Sequence, residues 1–532
     1  MSDLWSVRRS SGPRRRFVQS RVARWCVRCA ALGAAALAAA LLAVGGAPAS
    51  AQSAGAGSYS GQLPDGAHWI ADVPANWNGT LVLYSHGFGP LVAADAPDPT
   101  TKQALLNMGY ALAGSSYDPS GSWWALGSAL RDQFETLAIV EHSVLPSRPT
   151  HVFAFGTSMG GLISALEDQN SDGRLDGALT TCGIVAGALN LNQYQLDGEY
   201  ALAQLLAPGQ QIQLTGFTVG PPTFSDSAAA AAKLVALADA AQQTPQGRAR
   251  LALAMAFLNV SPWGGSSIPN IYDFPGQEQG QFDDYFTGTP NAITFIVTAR
   301  EQLEAAAGGE SAGTVGVDFS ALLHRSPYYP EVRALYNEAG LSLGADLRAL
   351  QQNASLRGDP AAYRWLVRTS VPDGQLQVPE LDLHTISDQL VPVQQEAYYH
   401  DTVARAGDGA LLRQAFVQAQ GHCNFTPADL IAGLQALQQR VTTGSWGDLS
   451  TASSLNSAAD ALPSNLGGGN FIAFWPDRLT GAVPQPPSQA GIGIGRGTHG
   501  RRRAGSGRRH PGVVAPGRRG RARGARAAAR RG

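Results

Sequence analysis

The stretch "HVFAFGTSMGGLISALED" (residues 151–168) decides the fold class, because it places a serine between glycines directly after a strand-like run. The run His151 to Phe155 is rich in strand-forming residues, and the apolar residues from Met159 onward have helical spacing. Ser158 therefore lies at a sharp turn from strand to helix. Small flanking residues let the chain turn tightly enough to expose the serine hydroxyl at the sheet edge, which predicts a nucleophile.

A second G-x-S-x-G pattern occurs at residues 309–313, around Ser311. The pattern alone is weak evidence, since the chain contains 62 glycines and a match is expected about once by chance. Here it follows the helical run "EQLEAAAG" (301–308), so no strand can present Ser311 at a sheet edge. We predict that Ser311 is not a nucleophile.

A serine hydroxyl becomes a good nucleophile only when a base removes its proton and a carboxylate orients that base. Asp388 follows the strand-like run 381–386, and His422 follows the strand-like run 414–419. Both residues are therefore predicted to join Ser158 at the carboxyl edge of a sheet.

Three further residues in or beside predicted strands were weighed for the same site. Asp382 is the alternative acid, but it lies inside its strand, where a side chain points away from the strand end. His384 and His151 are predicted to be core or surface histidines.

The order Ser158, Asp388, His422 resembles that of the α/β-hydrolase superfamily over roughly residues 70–190 and 371–442. This resemblance implies that Ser158 is the nucleophile, His422 the base and Asp388 the acid. It also implies a doubly wound, mostly parallel α/β sheet with a large helical cap insertion.

The sequence "HGFG" (86–89) resembles the oxyanion loop of the same superfamily, with His86, Gly87 and Gly89 as its framework. The resemblance implies that the backbone N–H groups of Phe88 and Met159 stabilise the tetrahedral oxyanion.

The subgroup it is most similar to is that of secreted bacterial serine esterases, with a weaker likeness to tannase and feruloyl esterases. In the latter enzymes a cysteine adjoins the serine, and this chain has Thr157 there.

The chain is divided into segments by composition and pattern. The predicted segments are a signal peptide (1–51), the first part of the hydrolase core (52–190), a helical cap (191–370), the second part of the core (371–445), a C-terminal segment packed on the core (446–482) and a disordered Pro/Gly/Arg-rich tail (483–532).

The first segment has the features of an export signal. An Arg-rich start precedes the apolar stretch 30–44 and an A-x-A site at residues 49–51. The motif "PRRRFVQ" (13–19) resembles a twin-arginine signal, so export by the Sec or the twin-arginine route stays open. A retained membrane anchor is the alternative, although the apolar stretch is short for a bilayer span. We predict a secreted protein with no stable membrane anchor after signal cleavage.

The charges are separated along the chain. Outside the two Arg-rich ends, residues 52–495 contain 18 basic and 39 acidic side chains, a net charge of −21. A body with this charge repels phosphate backbones and anionic lipid, which argues against nucleic acid as a partner.

Two cysteines, Cys182 and Cys423, remain after the signal is removed. In a doubly wound sheet both would lie at the edge that carries the active site, and an oxidising compartment favours a disulfide between them. That bridge would pin the histidine loop to the sheet. Two buried free thiols are the alternative.

Two other patterns were considered as binding sites. "DQNSDGRLDGAL" (168–179) resembles a calcium loop, but Leu179 replaces the bidentate Glu and the segment joins a helix to a strand, so calcium is not expected. Trp123, Trp124 and Trp263 are expected either to line an aromatic pocket or to belong to the core.

The sequence therefore predicts a secreted serine hydrolase for small-molecule or polymer carboxylic esters, with no metal and no organic cofactor. A serine aminopeptidase of the same superfamily and a non-catalytic binding protein on a hydrolase scaffold are the alternatives. The identity of the substrate does not follow from the sequence, because no motif defines the pocket in residues 191–370.

Overall fold

The computed structural model describes residues 55–217 and 224–483. The predicted signal peptide, and all of the predicted tail after Val483, lie outside the described residues.

The described residues form one sheet of nine strands in the order β1-β2-β4-β3-β5-β6-β7-β8-β9. The strands are β1 (Gly57–Gln62), β2 (His68–Val73), β3 (Thr80–Ser85), β4 (Ala111–Ser115), β5 (His151–Thr157), β6 (Gly177–Thr181), β7 (Glu380–Ser387), β8 (Leu412–Gln420) and β9 (Phe471–Ile472). Strands β3 to β8 pair in parallel, whereas β1, β2 and β9 pair antiparallel with their neighbours. The predicted doubly wound, mostly parallel sheet is confirmed.

Fifteen α-helices lie within the described residues. They are α1 (Pro99–Asn107), α2 (Ala129–Ile139), α3 (Met159–Gln169), α4 (Ala188–Leu206), α5 (Ser225–Ala241), α6 (Pro245–Leu258), α7 (Phe274–Phe286), α8 (Ala292–Ala307), α9 (Phe319–Arg325), α10 (Tyr329–Glu338), α11 (Leu343–Asn353), α12 (Pro360–Ser370), α13 (Gln394–Ala406), α14 (Pro427–Thr443) and α15 (Ala452–Asp460). None of these helices is both long enough and apolar enough to cross a membrane.

The central strands are apolar on both faces because helices cover both sides of the sheet. Side chains alternate across each strand, so Val82 and Phe153 pack with residues of α14 on one face. Leu83 and Ala154 pack with residues of α2 on the other face. The uninterrupted hydrophobic runs that marked these strands in the sequence follow from this two-sided burial.

Helices α4 to α12 form the long segment between β6 and β7, and they have a hydrophobic core of their own. Helix α6 is buried from Leu251 to Leu258 on all its sides, which places it at the centre of that core. A buried ion pair joins α8 to α4, with Arg300 Nη1 2.7 Å from Glu199 Oε2. The segment contacts the sheet edge where the Ser387 hydroxyl donates to the Trp263 carbonyl at 2.8 Å.

Residues after α14 return to both parts of the molecule. Strand β9 pairs with β8, with Phe471 buried beside Val417. The amide of Thr480 donates to Asn259 Oδ1 at 2.8 Å, which attaches the end of this segment to the helical insertion. Within the C-terminal segment, residues Phe471–Ile472 therefore form an edge strand of the sheet.

Candidate active site

Ser158 occupies the tight turn between β5 and α3, with φ 61° and ψ −122°. A Cβ on Gly156 would lie 1.9 Å from the Gly160 carbonyl oxygen, and a Cβ on Gly160 would lie 1.8 Å from the Ser85 carbonyl oxygen. Both glycines are therefore required by close backbone approach, and the turn holds Ser158 in a conformation that non-glycine residues rarely adopt.

Ser158, His422 and Asp388 form a continuous hydrogen-bonded series. The Ser158 hydroxyl lies 2.8 Å from His422 Nε2, and His422 Nδ1 lies 2.7 Å from Asp388 Oδ2. With the Nδ1 proton donated to the carboxylate, Nε2 is left free to accept the serine proton. The structure thus brings the three predicted residues together at the carboxyl ends of β5, β7 and β8.

Asp388 is buried, and its second oxygen is also bound. Oδ1 accepts the N–H groups of Leu390 at 2.9 Å and Val391 at 2.8 Å. Burial acts to raise the pKa of Asp388, but His422, His384 and the backbone donor outweigh it, so the pKa lies below its ordinary value. Asp388 therefore remains a carboxylate that can orient His422.

Asp382, the alternative acid, lies inside β7 and away from this series. It accepts from the Thr180 hydroxyl, and burial together with the charge of Glu396 raises its pKa well above the ordinary value.

His151 is half-buried at the start of β5, 3.9 Å from Asp176. His384 is fully buried and both its ring nitrogens are hydrogen-bonded.

The predicted oxyanion loop lies against the serine. A Cβ on Gly87 would lie 3.2 Å from Ser158 Cβ. His86 holds the loop, because its Nδ1–H donates to the Gly87 carbonyl at 2.8 Å and its ring stacks on Tyr117 with centroids 4.2 Å apart. Burial lowers the pKa of His86, which keeps the ring neutral.

The two predicted oxyanion donors, Phe88 and Met159, directly follow Gly87 and Ser158 in the chain. Met159 is the first residue of α3, where an N–H group has no acceptor within the helix. Phe88 follows Gly87 directly, and Gly89 has φ 153°. The roles of Phe88 and Met159 stay predictions.

Cys182 and Cys423 are joined by a disulfide, with Cα atoms 5.3 Å apart. The bond connects the residue after β6 to the residue after His422, as the sequence suggested. Among the described residues, one group of three potential metal ligands occurs, formed by these cysteines and His422. Both sulfurs of that group are already bonded to each other.

The three tryptophans have different environments. Trp124 is buried and its indole N–H donates to the Ala299 carbonyl at 2.8 Å, so it belongs to the core. Trp123 is half-buried and lines a cavity of about 820 Å³ with Trp365. Trp263 lies in a loop of the helical insertion next to the site. Both expected environments therefore occur.

The calcium-like segment does not converge on one point. Asp168 accepts from the amide of Gln377 at 2.7 Å, Asp176 accepts from the amide of Val152 at 2.8 Å, and Asp172 is exposed beside Arg174. Asp168 and Asp176 thus bind separate backbone groups and Asp172 pairs with Arg174, so the three carboxylates do not surround one point.

Ser311 follows α8 in a loop, and the side chain of Asn192 donates to its hydroxyl at 2.9 Å. As the sequence predicted, no strand leads into this serine.

Asp284 of α7 also lies beside the site, and the sequence gave no reason to select it. The backbone of α7 contacts the loop of Trp263, since a Cβ on Gly264 would lie 2.8 Å from Asp284 Cβ. Within the described residues, Asp284 Oδ2 and Trp263 Nε1 are buried without hydrogen-bond partners. Burial, followed by the charge of Asp388, raises the pKa of Asp284 to about 8. Only tertiary packing brings this carboxyl near Asp388.

Three features define the fold class: the strand order, the tight turn at Ser158 after β5, and the chain order Ser158, Asp388, His422. The chain has the α/β-hydrolase fold.

Comparison with known proteins adds three similarities. The chain is 28% identical to the o-phthalyl amidase of Xanthobacter agilis over 423 residues, which cover 76% of this chain and 91% of that protein. Feruloyl esterase B from Aspergillus oryzae matches with a TM-score of 0.37 and 13% identity, over 72% of this chain and 80% of that chain. Proline iminopeptidase from Mycobacterium smegmatis matches with a TM-score of 0.35 and 12% identity, over 73% of this chain and 100% of that chain. No family model matches the sequence.

Proposed function

We propose that this protein is a secreted serine hydrolase that cleaves carboxylic esters through an acyl-enzyme intermediate. The observation that supports it most directly is the hydrogen-bonded series from Asp388 through His422 to Ser158. Ser158 Oγ attacks the ester carbonyl while His422 takes its proton, and His422 then returns the proton to the leaving alcohol. Asp388 orients His422 throughout, and water releases the acyl group by the same steps.

The negative charge that develops on the carbonyl oxygen needs hydrogen-bond donors. We assign this role to the N–H groups of Phe88 and Met159, each worth about 3 kcal/mol of transition-state stabilisation. The contact between Gly87 and Ser158 supports this assignment, because Phe88 directly follows Gly87 in the chain.

Amide cleavage is the second candidate, and Asp284 is the observation that favours it. An amide substrate has an N–H donor, or in an aminopeptidase substrate a nearby ammonium group, and the buried, unpartnered Oδ2 of Asp284 could accept from either. The similarity to the o-phthalyl amidase points the same way. The third candidate, a non-catalytic binding protein, gives no reason for the geometry around Ser158.

Export is part of the proposal. The sequence features of residues 1–51 support it, and so does the bond between Cys182 and Cys423, because structural disulfides persist in oxidising compartments.

The test compares turnover of p-nitrophenyl esters of rising chain length with turnover of amino-acid and N-acyl p-nitroanilides. Ser158→Ala should lower kcat by a factor of about 10⁴ to 10⁶. Ser311→Ala is the matched control, because it removes the serine of the other G-x-S-x-G pattern, and it should leave kcat unchanged. Turnover of anilides alone would support an amidase or a peptidase. No turnover of esters or anilides would support the binding protein. Undiminished ester hydrolysis by Ser158→Ala would overturn the proposal.

A further inference from the structure

A second histidine lies near the same oxygen of Asp388 that His422 contacts. His384 belongs to β7 and is fully buried, with its Nε2 3.7 Å from Asp388 Oδ2. The same Nε2 lies 2.8 Å from the Val391 carbonyl oxygen, and Nδ1 lies 2.8 Å from Glu396 Oε1 of α13. Both ring nitrogens therefore face hydrogen-bond acceptors.

The surroundings of Glu396 indicate whether the His384 ring is a neutral imidazole or an imidazolium. Gln414 Nε2 donates to Glu396 Oε2 at 2.5 Å, and Glu396 Oε1 lies 2.8 Å from His384 Nδ1. When Glu396 is ionised, both of its oxygens act as acceptors. A neutral imidazole has a single N–H group and cannot donate to Glu396 and Val391 together, whereas an imidazolium can. Burial acts to lower the pKa of His384, but Glu396 and Asp388 outweigh it and raise the pKa above its ordinary value.

His384 also fixes the turn that presents Asp388. Its ring binds the carbonyl of Val391, and the amide of the same residue donates to Asp388 Oδ1 at 2.8 Å. The His384 imidazole and the Asp388 carboxylate thus both hydrogen-bond to the backbone of Val391, the imidazole to its carbonyl and the carboxylate to its amide. A change at His384 therefore acts on both the position and the charge environment of Asp388.

We propose that His384, held as an imidazolium by Glu396, is a positioning residue for the hydrolysis that offsets the negative charge of Asp388 and so keeps His422 available as a base at mildly acidic pH. The inference rests on the proposed function, because it assigns a task to His422. His384 touches neither substrate nor the reacting atoms and acts through Asp388.

Other titratable groups face this pair from the elements packed around it. Asp382 lies on β7 itself, and burial together with the charge of Glu396 raises its pKa well above the ordinary value. Asp284 of α7 and Tyr194 of α4 interact with Asp388 from the helical insertion. Burial raises the pKa of Asp284 to about 8, so below that pH it adds no full negative charge. His384 of β7 is then the cation next to Asp388.

The experiment measures kcat/KM for the best p-nitrophenyl ester between pH 4.5 and 9 in His384→Gln. Without the positive charge, Asp388 stabilises the protonated form of His422 more strongly, and the acid limb of the profile moves to higher pH by about one unit. Glu396→Gln should also move the acid limb to higher pH, but by less than His384→Gln does. In this variant His384 becomes neutral, but the negative charge of Glu396 is lost as well. His151→Gln, a strand histidine outside the series, should leave the profile unchanged.

An acid limb at the wild-type position in a folded His384→Gln protein would overturn the inference, since a purely structural role lowers the rate at all pH values alike. If the variant does not fold, nitrogen NMR of selectively labelled histidines in the wild-type protein is the deciding measurement. Two protonated nitrogens on His384 at pH 7 support the inference, and one overturns it. Activity that survives Ser158→Ala would instead remove the proposed function, so the two failures are distinguishable.

Discussion

At Gly160 there is no space for a methyl group. Replacing it with alanine would put Cβ 1.8 Å from the Ser85 carbonyl oxygen, so the turn has to move away from β3. We expect Gly160→Ala to destabilise the protein by about 3 kcal/mol, the upper range for overpacking, and to abolish ester hydrolysis because Ser158 moves with the turn. Urea unfolding and p-nitrophenyl ester assays measure the two effects.

The control for this prediction is Gly409→Ala. A Cβ at Gly409 meets no atom within 4 Å, and the residue lies between α13 and β8. Stability and activity should both stay near the wild-type values. Equal losses in the two variants would contradict the steric explanation.

The three residues of the hydrogen-bonded series could be predicted from the sequence because each follows a strand. Ser158, Asp388 and His422 all end up at one edge once the strands are parallel, and strand order needs no knowledge of side-chain packing. His384 and Asp284 could not be assigned in this way. His384 has the pattern of a core residue, and its link to Asp388 depends on how the chain turns back at Val391. Asp284 approaches the site only through the packing of α7.

At the scale of elements, the Cys182–Cys423 bond attaches the histidine loop to the end of β6. We expect Cys182→Ala/Cys423→Ala to lower the free energy of unfolding by about 2 to 5 kcal/mol, the range for removing a native disulfide. The ester kcat should also fall, because His422 precedes Cys423 and loses its anchor. Treating the wild-type protein with dithiothreitol is the independent check, and an unchanged kcat in both would show that the loop is held without the bond.

Helix α14 begins directly after the histidine loop with a capping box. The Thr426 hydroxyl accepts from the Asp429 amide at 3.0 Å, and Asp429 accepts from the Thr426 amide at 3.1 Å. Thr426→Ala should cost about 1 kcal/mol in urea unfolding, because orphan N–H groups at the helix start lose an acceptor. Thr443→Ala, at the exposed C-terminal end of the same helix, should cost clearly less. A similar loss in both variants would contradict the capping explanation.

The central strands and the helical insertion were predictable because their patterns are strong. The run "TLVLYS" of β3 is buried at every position, and the Ala-rich run of α5 has high helix propensity. The edge strands were not predicted. Strand β1 alternates exposed and half-buried residues and contains two glycines, and β9 has only two residues, so neither has a strand signal of its own. Both form because the neighbouring strands offer unpaired backbone groups.

At the scale of the whole molecule, several buried carboxyl groups favour the protonated form. Burial raises the pKa of Glu167 and Asp197 to about 8. Their folded-state pKa values exceed the unfolded values near 4. The stability they contribute is therefore present at acidic pH and is lost as the pH rises from about 4 through 8. We expect the melting temperature to fall between pH 5.5 and pH 8.5.

Glu167→Gln tests this directly. Gln keeps the shape of Glu167 and an acceptor for the Ser85 hydroxyl, which donates to Glu167 at 2.9 Å, but it does not ionise. The fall in melting temperature between the two pH values should be smaller in this variant. Glu338→Gln replaces an exposed carboxyl and should leave the fall unchanged. A pH dependence that is identical in Glu167→Gln and the wild type would contradict the assignment to buried carboxyls.

The bond between Cys182 and Cys423 encloses the whole helical insertion, with a sequence separation of 241 residues. A protease that cuts anywhere inside that loop produces two fragments that stay covalently tethered. Clipped molecules would therefore migrate as one band in unreduced electrophoresis and as two after reduction. The fragment that contains Ser158 and the fragment that contains His422 therefore cannot diffuse apart. The bond thus protects the protein against cuts at the surface of the helical insertion.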